Sequence, residues 1–116
     1  MKRDMDLIRL ILREVESCED SYGMNSPVIE GYSEAQIAGH LKMLLDGGLI
    51  GVKDESGGFQ AEDQYMGINL TWDGQDFVSA AKDEPLWTKA KETIISSGVG
   101  YTVQSLLIWL KAQAVL

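Results

Sequence analysis

His40 and Cys18 are the only histidine and the only cysteine of the chain, and between them they bound the chemistry it can support. Nucleophilic catalysis needs a base beside a hydroxyl or thiol, with a third group to orient the base. A single histidine on the flank of an amphipathic helix is instead expected as a partly buried, hydrogen-bonded side chain. Cys18 falls on an apolar stripe with no Lys, Arg or His within four residues to favour its thiolate, so it reads as an inert core thiol. One cysteine also excludes an internal disulfide and a cysteine-rich zinc site. The acidic pairs Asp54–Glu55 and Glu62–Asp63 flank Gly57-Gly58, but their spacing does not fit a calcium loop, and a solvated hairpin tip is expected. Asp73 and Asp76 lie near a predicted helix N-terminus, where carboxylates are favoured without any catalytic role. No glycine-rich loop is built to cradle phosphate. The expectation is a protein without catalysis, cofactor or metal.

Charge narrows the partners. Eighteen acids against ten Lys and Arg give a net charge of −8 on 116 residues, a field that repels phosphate and anionic headgroups. No segment forms a basic patch. The 98–116 tail has the one positive sum, from Lys111 alone. The longest stretch without a charged residue, Thr93 to Leu110, is interrupted by Ser, Gly, Thr and Gln and does not read as a membrane span. No secretory signal is evident at Met1–Asp6, so a soluble, cytoplasmic protein is expected. The length suits one domain with a real core.

The elements that would position these residues are legible in the patterning. Leu7, Ile8, Ile11, Leu12, Val15 and Cys18 predict a first helix over about Asp4–Glu19, with Arg9, Arg13 and Glu16 on its other face. Ser33 and Gln36 form a capping box for a second helix, whose inward stripe is Ile37, Leu41, Leu44 and Leu45. Gly47-Gly48 stops it. Leu49–Lys53 and Tyr65–Thr71 predict the arms of a hairpin, with Met66, Ile68 and Leu70 on one side. Thr71 caps a third helix through Phe77, Val78 and Ala81. Pro85 opens a fourth, with Trp87, Ala90 and Ile94 on one face. A last helix runs from about Thr102.

Five ordered motifs carry a resemblance: M-K-R-D-M-D-L-I-R at the start, G-Y-S at Gly31–Ser33, H-L-K-M-L-L-D-G-G-L-I at His40–Ile50, L-T-W-D-G-Q-D-F at Leu70–Phe77, and L-W-T-K-A-K at Leu86–Lys91. Over about residues 1–97 the chain resembles a family of short bacterial and prophage-borne proteins of unknown function, similar to the YjcQ-like winged helices. The resemblance implies an α+β winged-helix, helix-turn-helix-like fold and a phage-associated gene, and it brings no catalytic residues. The tail departs from that pattern, since relatives look strongly charged where Gly98–Leu116 carries only Lys111. The organisation expected is a winged-helix domain at 1–97 and an apolar helix at 98–116 that joins copies.

A winged helix suggests DNA, but fold is not a site. The outward arc of the second helix holds Ala35, Gly39, Lys42, Met43 and Asp46, with Gln36 and His40 beside it. DNA contacts would have to come from Arg9, Arg13, Gln36, Lys42 and Lys53. Affinity for DNA rests on about 6–10 phosphate contacts, and the two surfaces that should meet a duplex supply only Lys42 and Lys53 as cations. DNA binding as a dimeric regulator is therefore the second reading. The first is a homodimer, or a complex with an unknown protein partner, and no membrane contact. Ala35, Gly39 and Met43 make a smooth strip on the second helix. The tail helix, with Val103, Leu106, Leu107, Leu110 and Ala114 on one side and Ile108, Trp109, Ala112 and Val115 on the other, needs cover on both.

Overall fold

The computed structural model describes residues 2–56, 64–98 and 100–114, without the side chains of 54–56, 64 and 114. The fold is α+β and mostly helical, with a small antiparallel sheet region. The expected tip at Gly57-Gly58, the acids Glu62 and Asp63, and Val115 lie outside the described residues.

The first helix, α1 (Met5–Ser17), starts where Asp4 adopts an extended conformation and its carboxylate accepts the Asp6 and Leu7 amides at 3.0 and 3.2 Å. Its stripe of Leu7, Ile8, Ile11, Leu12 and Val15 is fully enclosed and forms the centre of the core. Cys18, expected at the end of that stripe, is only half-buried and lines a shallow cleft of 160 Å³ with Val15, Glu16 and Gln75. The helix has already ended there, so the heptad-like spacing no longer sets its direction. In α2 (Glu34–Asp46) the capping box is present: Ser33 Oγ accepts the Gln36 amide at 3.1 Å, and Gln36 Oε1 accepts the Ser33 amide at 2.9 Å. It ends in a Schellman turn, with Leu49 N–H to Leu44 O at 3.0 Å and Gly48 N–H to Leu45 O at 3.1 Å. Gly48 takes φ +78° to close it, and Leu49 and Ile50 drop into the core.

Four short strands follow: β1 (Ile50–Gly51), β2 (Asp54–Ser56), β3 (Gln64–Met66) and β4 (Asn69–Leu70). The pairs Ile50–Leu70, Gly51–Asn69, Asp54–Met66 and Glu55–Tyr65 keep one antiparallel register, so β1–β2 and β3–β4 are the two arms of one hairpin. The alternation expected for Met66, Ile68 and Leu70 does not hold. Tyr65 and Ile68 are both buried while Met66 is exposed. Gly67, at φ +66°, shifts the phase of the strand, and Ile68 then pairs with Met24 from the loop after α1.

The third helix, α3 (Trp72–Ala81), is capped by Thr71, whose hydroxyl accepts the Gly74 amide at 3.1 Å and donates to Gly48 O at 2.5 Å. α4 (Glu84–Ala90) is capped by Asp83, with Pro85 one position later than predicted, and runs on as a single π-helical turn at Lys91–Ile95. Phe77 and Trp87 meet edge to face at 6.1 Å between ring centres. The last helix, α5 (Val103–Ala114), has a reciprocal cap: Ser105 N–H to Thr102 Oγ1 at 3.0 Å and Thr102 N–H to Ser105 Oγ at 2.9 Å. Leu106, Leu107 and Leu110 join the same core as α1, α3 and α4, so one side of the tail helix belongs to the body of residues 2–98.

Candidate interaction surface

His40 is held within the packing of the fold. His40 is 1% exposed. Its Nε2 accepts the Asp4 amide at 2.9 Å and its Nδ1 lies 2.7 Å from Gln36 O, an arrangement that requires the neutral tautomer with the proton on Nδ1. Tyr32 donates its hydroxyl to Asp4 at 3.2 Å, so His40, Asp4 and Tyr32 tie the start of α1 to α2 and the loop before it. Burial pushes the Tyr32 hydroxyl up, and the Asp4 carboxylate adds to that. Among the described residues, no group of three His, Cys, Asp or Glu could hold a metal ion. No helix there is long and apolar enough to cross a membrane.

The cations expected to contact DNA are not brought together. Arg9, read from periodicity as facing outward, is only 7% exposed. Its Nε donates to Ala81 O at 2.7 Å and its Nη2 reaches Glu84 at 2.8 Å, while the guanidinium lies 5.6 Å from the Trp87 ring. The reason is that the turn between α3 and α4 leaves carbonyls facing α1, and a guanidinium satisfies them. Arg13 is exposed on the same side, near enough to Glu16 and Glu84 to hold their carboxyls down. Lys42 is exposed on α2 and Lys53 on the hairpin. Gln36 is solvent-accessible, but its side chain is spent on the cap. Elsewhere Lys82 pairs with Glu16, Lys91 with Asp6, and Lys111 with Asp76.

These pairs make stability depend on acid. Partial burial pushes Asp6 upward, but the Trp87 indole N–H at 2.9 Å and Lys91 together outweigh it and hold the carboxyl below its ordinary 3.8. Lys82 holds Glu16, and Arg9 holds Glu84, below the ordinary 4.5. A carboxyl lowered in the folded state stabilises the fold above its unfolded value and loses that contribution as pH falls through the folded one. The melting temperature should therefore fall as pH drops below about 4.5. In thermal melts from pH 6 to pH 3, Asp6→Asn should show a shallower decline than the parent. An equal slope would mean that the Trp87 and Lys91 contacts do not hold Asp6.

Beside Tyr22 and Met66, apolar residues are offered to solvent on α2, α3 and α5. Ala35 is exposed, whereas Gly39 and Met43 are half-buried, so the expected strip on α2 is fully open only at Ala35. On α5, Ile108 is 68% exposed and Ala112 is exposed, whereas Trp109 is half-buried and packs partly on its own core. Trp72, which the sequence reading did not single out, is 86% exposed at the start of α3. The signal was there: at 3.6 residues per turn, Trp72 lies roughly 140° round the helix from the inward Phe77. The Asp76–Lys111 pair at 2.7 Å clasps α3 to α5. Trp72 sits one turn before Asp76 on α3, and Ile108 one turn before Lys111 on α5. Val28, in the loop before α2, is also almost fully exposed.

The chain is 30% identical over 107 residues to an uncharacterized protein of Haemophilus influenzae, an alignment covering 91% of this chain and 89% of that one. No solved structure matches it. The family described as "Hypothetical protein (DUF2513)" matches residues 2–100, and by that match, together with the Haemophilus relative, the chain belongs to this family of unknown function.

Proposed function

We propose that the chain is a non-catalytic winged-helix protein, phage-associated in origin, that acts as an accessory or regulatory factor through protein contacts and forms a homodimer across α5. The winged-helix reading is supported by the order α1, the Met24 bridge, capped α2 and the hairpin that follows directly from its Gly48 stop. The observation that carries the interaction reading is Ile108, exposed on a helix whose opposite side is part of the core. An isolated exposed isoleucine is unremarkable, but Ala112, four residues on and exposed on the same face of α5, extends it into an apolar strip of the kind that marks interfaces. In the dimer Ile108 and Ala112 form the centre, and Trp109 contributes its solvent-facing edge. The strip Ala35, Gly39 and Met43 on α2 allows a further close approach by the partner.

Light scattering at high concentration should give about twice the 12.8 kDa chain mass, and Ile108→Glu should return it to the single-chain value. A particle of one chain mass for the parent protein at every concentration overturns the dimer. The second reading, a dimeric DNA-binding regulator, is favoured by the fold layout and opposed by the cations. Arg9 is committed to the α3–α4 turn and Arg13 lies at that corner, which leaves Lys42 and Lys53 alone. A mobility shift of random duplex at low salt and tens of micromolar protein would favour DNA binding over the first reading.

A further inference from the structure

We propose that His40 and Asp4 form a proton-operated latch, in which protonation of His40 draws the Asp4 carboxylate off the cap of α1 and frees the lead-in to that helix. The latch is independent of the dimer reading. The neutral imidazole accepts the Asp4 amide at Nε2 across 2.9 Å, while its Nδ1 donates to Gln36 O. A second proton can go only on Nε2, where it would point at the Asp4 N–H, donor against donor. His40 is 1% exposed, so water cannot relieve that conflict while the fold stays closed.

What makes the conflict a switch is the next acceptor, which belongs to the same residue as the displaced amide. The Asp4 carboxylate accepts the Asp6 and Leu7 amides through Oδ1 and the Tyr32 hydroxyl through Oδ2. An imidazolium is a stronger, charged donor than any of these, so a turn of the Asp4 backbone exchanges amide for carboxylate opposite Nε2. The loss falls on the first turn of α1, which gives up its cap beside the buried Met5. Other charges near the latch are few. One turn from His40 on α2 stand Gln36, Ile37, Met43 and Leu44, and β1 adds Ile50 and Gly51, all uncharged. From α1 comes Asp6, which Lys91 holds from the end of α4, and from the loop before α2 comes Tyr32, on which both carboxylates act. Arg3, one residue before Asp4, lies 4.6 Å from the centre of the Tyr101 ring, so release of Asp4 reaches the segment entering α5.

The test follows amide hydrogen exchange and ring resonances of the intact chain from pH 7.5 to pH 5, a range around the ordinary imidazole value of about 6.5. Protection of the Asp6 and Leu7 amides should fall about five- to tenfold, the effect of a lost cap, at the same midpoint as the His40 ring resonances. The Tyr101 ring should move with them. His40→Gln keeps an acceptor toward Asp4 and takes no proton, so its amides should stay protected throughout. Asp4→Ser keeps a cap oxygen but offers the imidazolium no carboxylate, so it too should hold them, and it decides the matter if His40→Gln fails to fold. A His40 ring that stays neutral down to pH 5, amides unmoved while it titrates, or an equal loss in either variant would overturn the proposal.

Discussion

Gly74→Ala is expected to destabilise the protein by about 3–5 kcal/mol, a loss on the order of 10–20 °C in melting temperature. The α3 helix meets the hairpin so closely that a Cβ at Gly74 would stand 1.9 Å from the Leu49 carbonyl oxygen, a backbone atom with no rotamer to escape by. Relief requires moving α3 away from Leu49. That would break the Thr71 amide bond to Leu49 O at 3.1 Å and the Thr71 hydroxyl bond to Gly48 O. The same step would open the core at Leu49 and Phe77. Gly51→Ala is the internal control, because a Cβ there meets nothing within 4 Å, and its cost should stay within about 1 kcal/mol. Melting followed by circular dichroism reads both. A Gly74→Ala protein that melts within two or three degrees of the parent would refute the close approach of α3 to Leu49.

The second large effect is assigned to Arg9. Arg9→Met keeps an apolar stem against Trp87 and removes the guanidinium, leaving the Ala81 carbonyl buried without its 2.7 Å donor. An unsatisfied buried acceptor costs about 1–3 kcal/mol, and the charged donor places this case at about 2–3 kcal/mol. The salt bridge itself contributes little of this, because Glu84 is 69% exposed and water screens the pair. Glu84→Gln should therefore cost far less than Arg9→Met in urea denaturation, and the Arg9→Met loss should persist in 0.5 M salt. If the two variants lost equal stability and salt erased both losses, the ion pair would be holding the turn and the carbonyl argument would be wrong.

How far the fold was readable depended on whether each feature was local. The Ser33 and Thr71 caps, the Gly48 stop and the inward stripes of α1 and α2 follow from residues within one or two turns of each other, and they stand where the sequence placed them. Features that depend on distant chain were misread. Arg9 has the spacing of a surface residue on α1, and only the carbonyls of the α3–α4 turn, some 72 positions away, draw it inside. The phase of the returning strand was lost at Gly67, where a positive φ lets Ile68 meet Met24. The exposure of Trp72, by contrast, is local, since the period of α3 places it away from the inward Phe77.

The candidate surface divides in the same way. That α5 is apolar on two sides is a property of its residues alone, as is the shortage of cations on α2 and the hairpin arms. Which side of α5 the body covers, and that Arg3 stacks on Tyr101, were set only by tertiary packing. Periodicity and capping act over one or two helical turns, and so a linear sequence encodes them directly. The partners of Arg9, Ile68 and Arg3 are chosen by whichever distant groups the closed core brings within reach, a choice no local pattern contains.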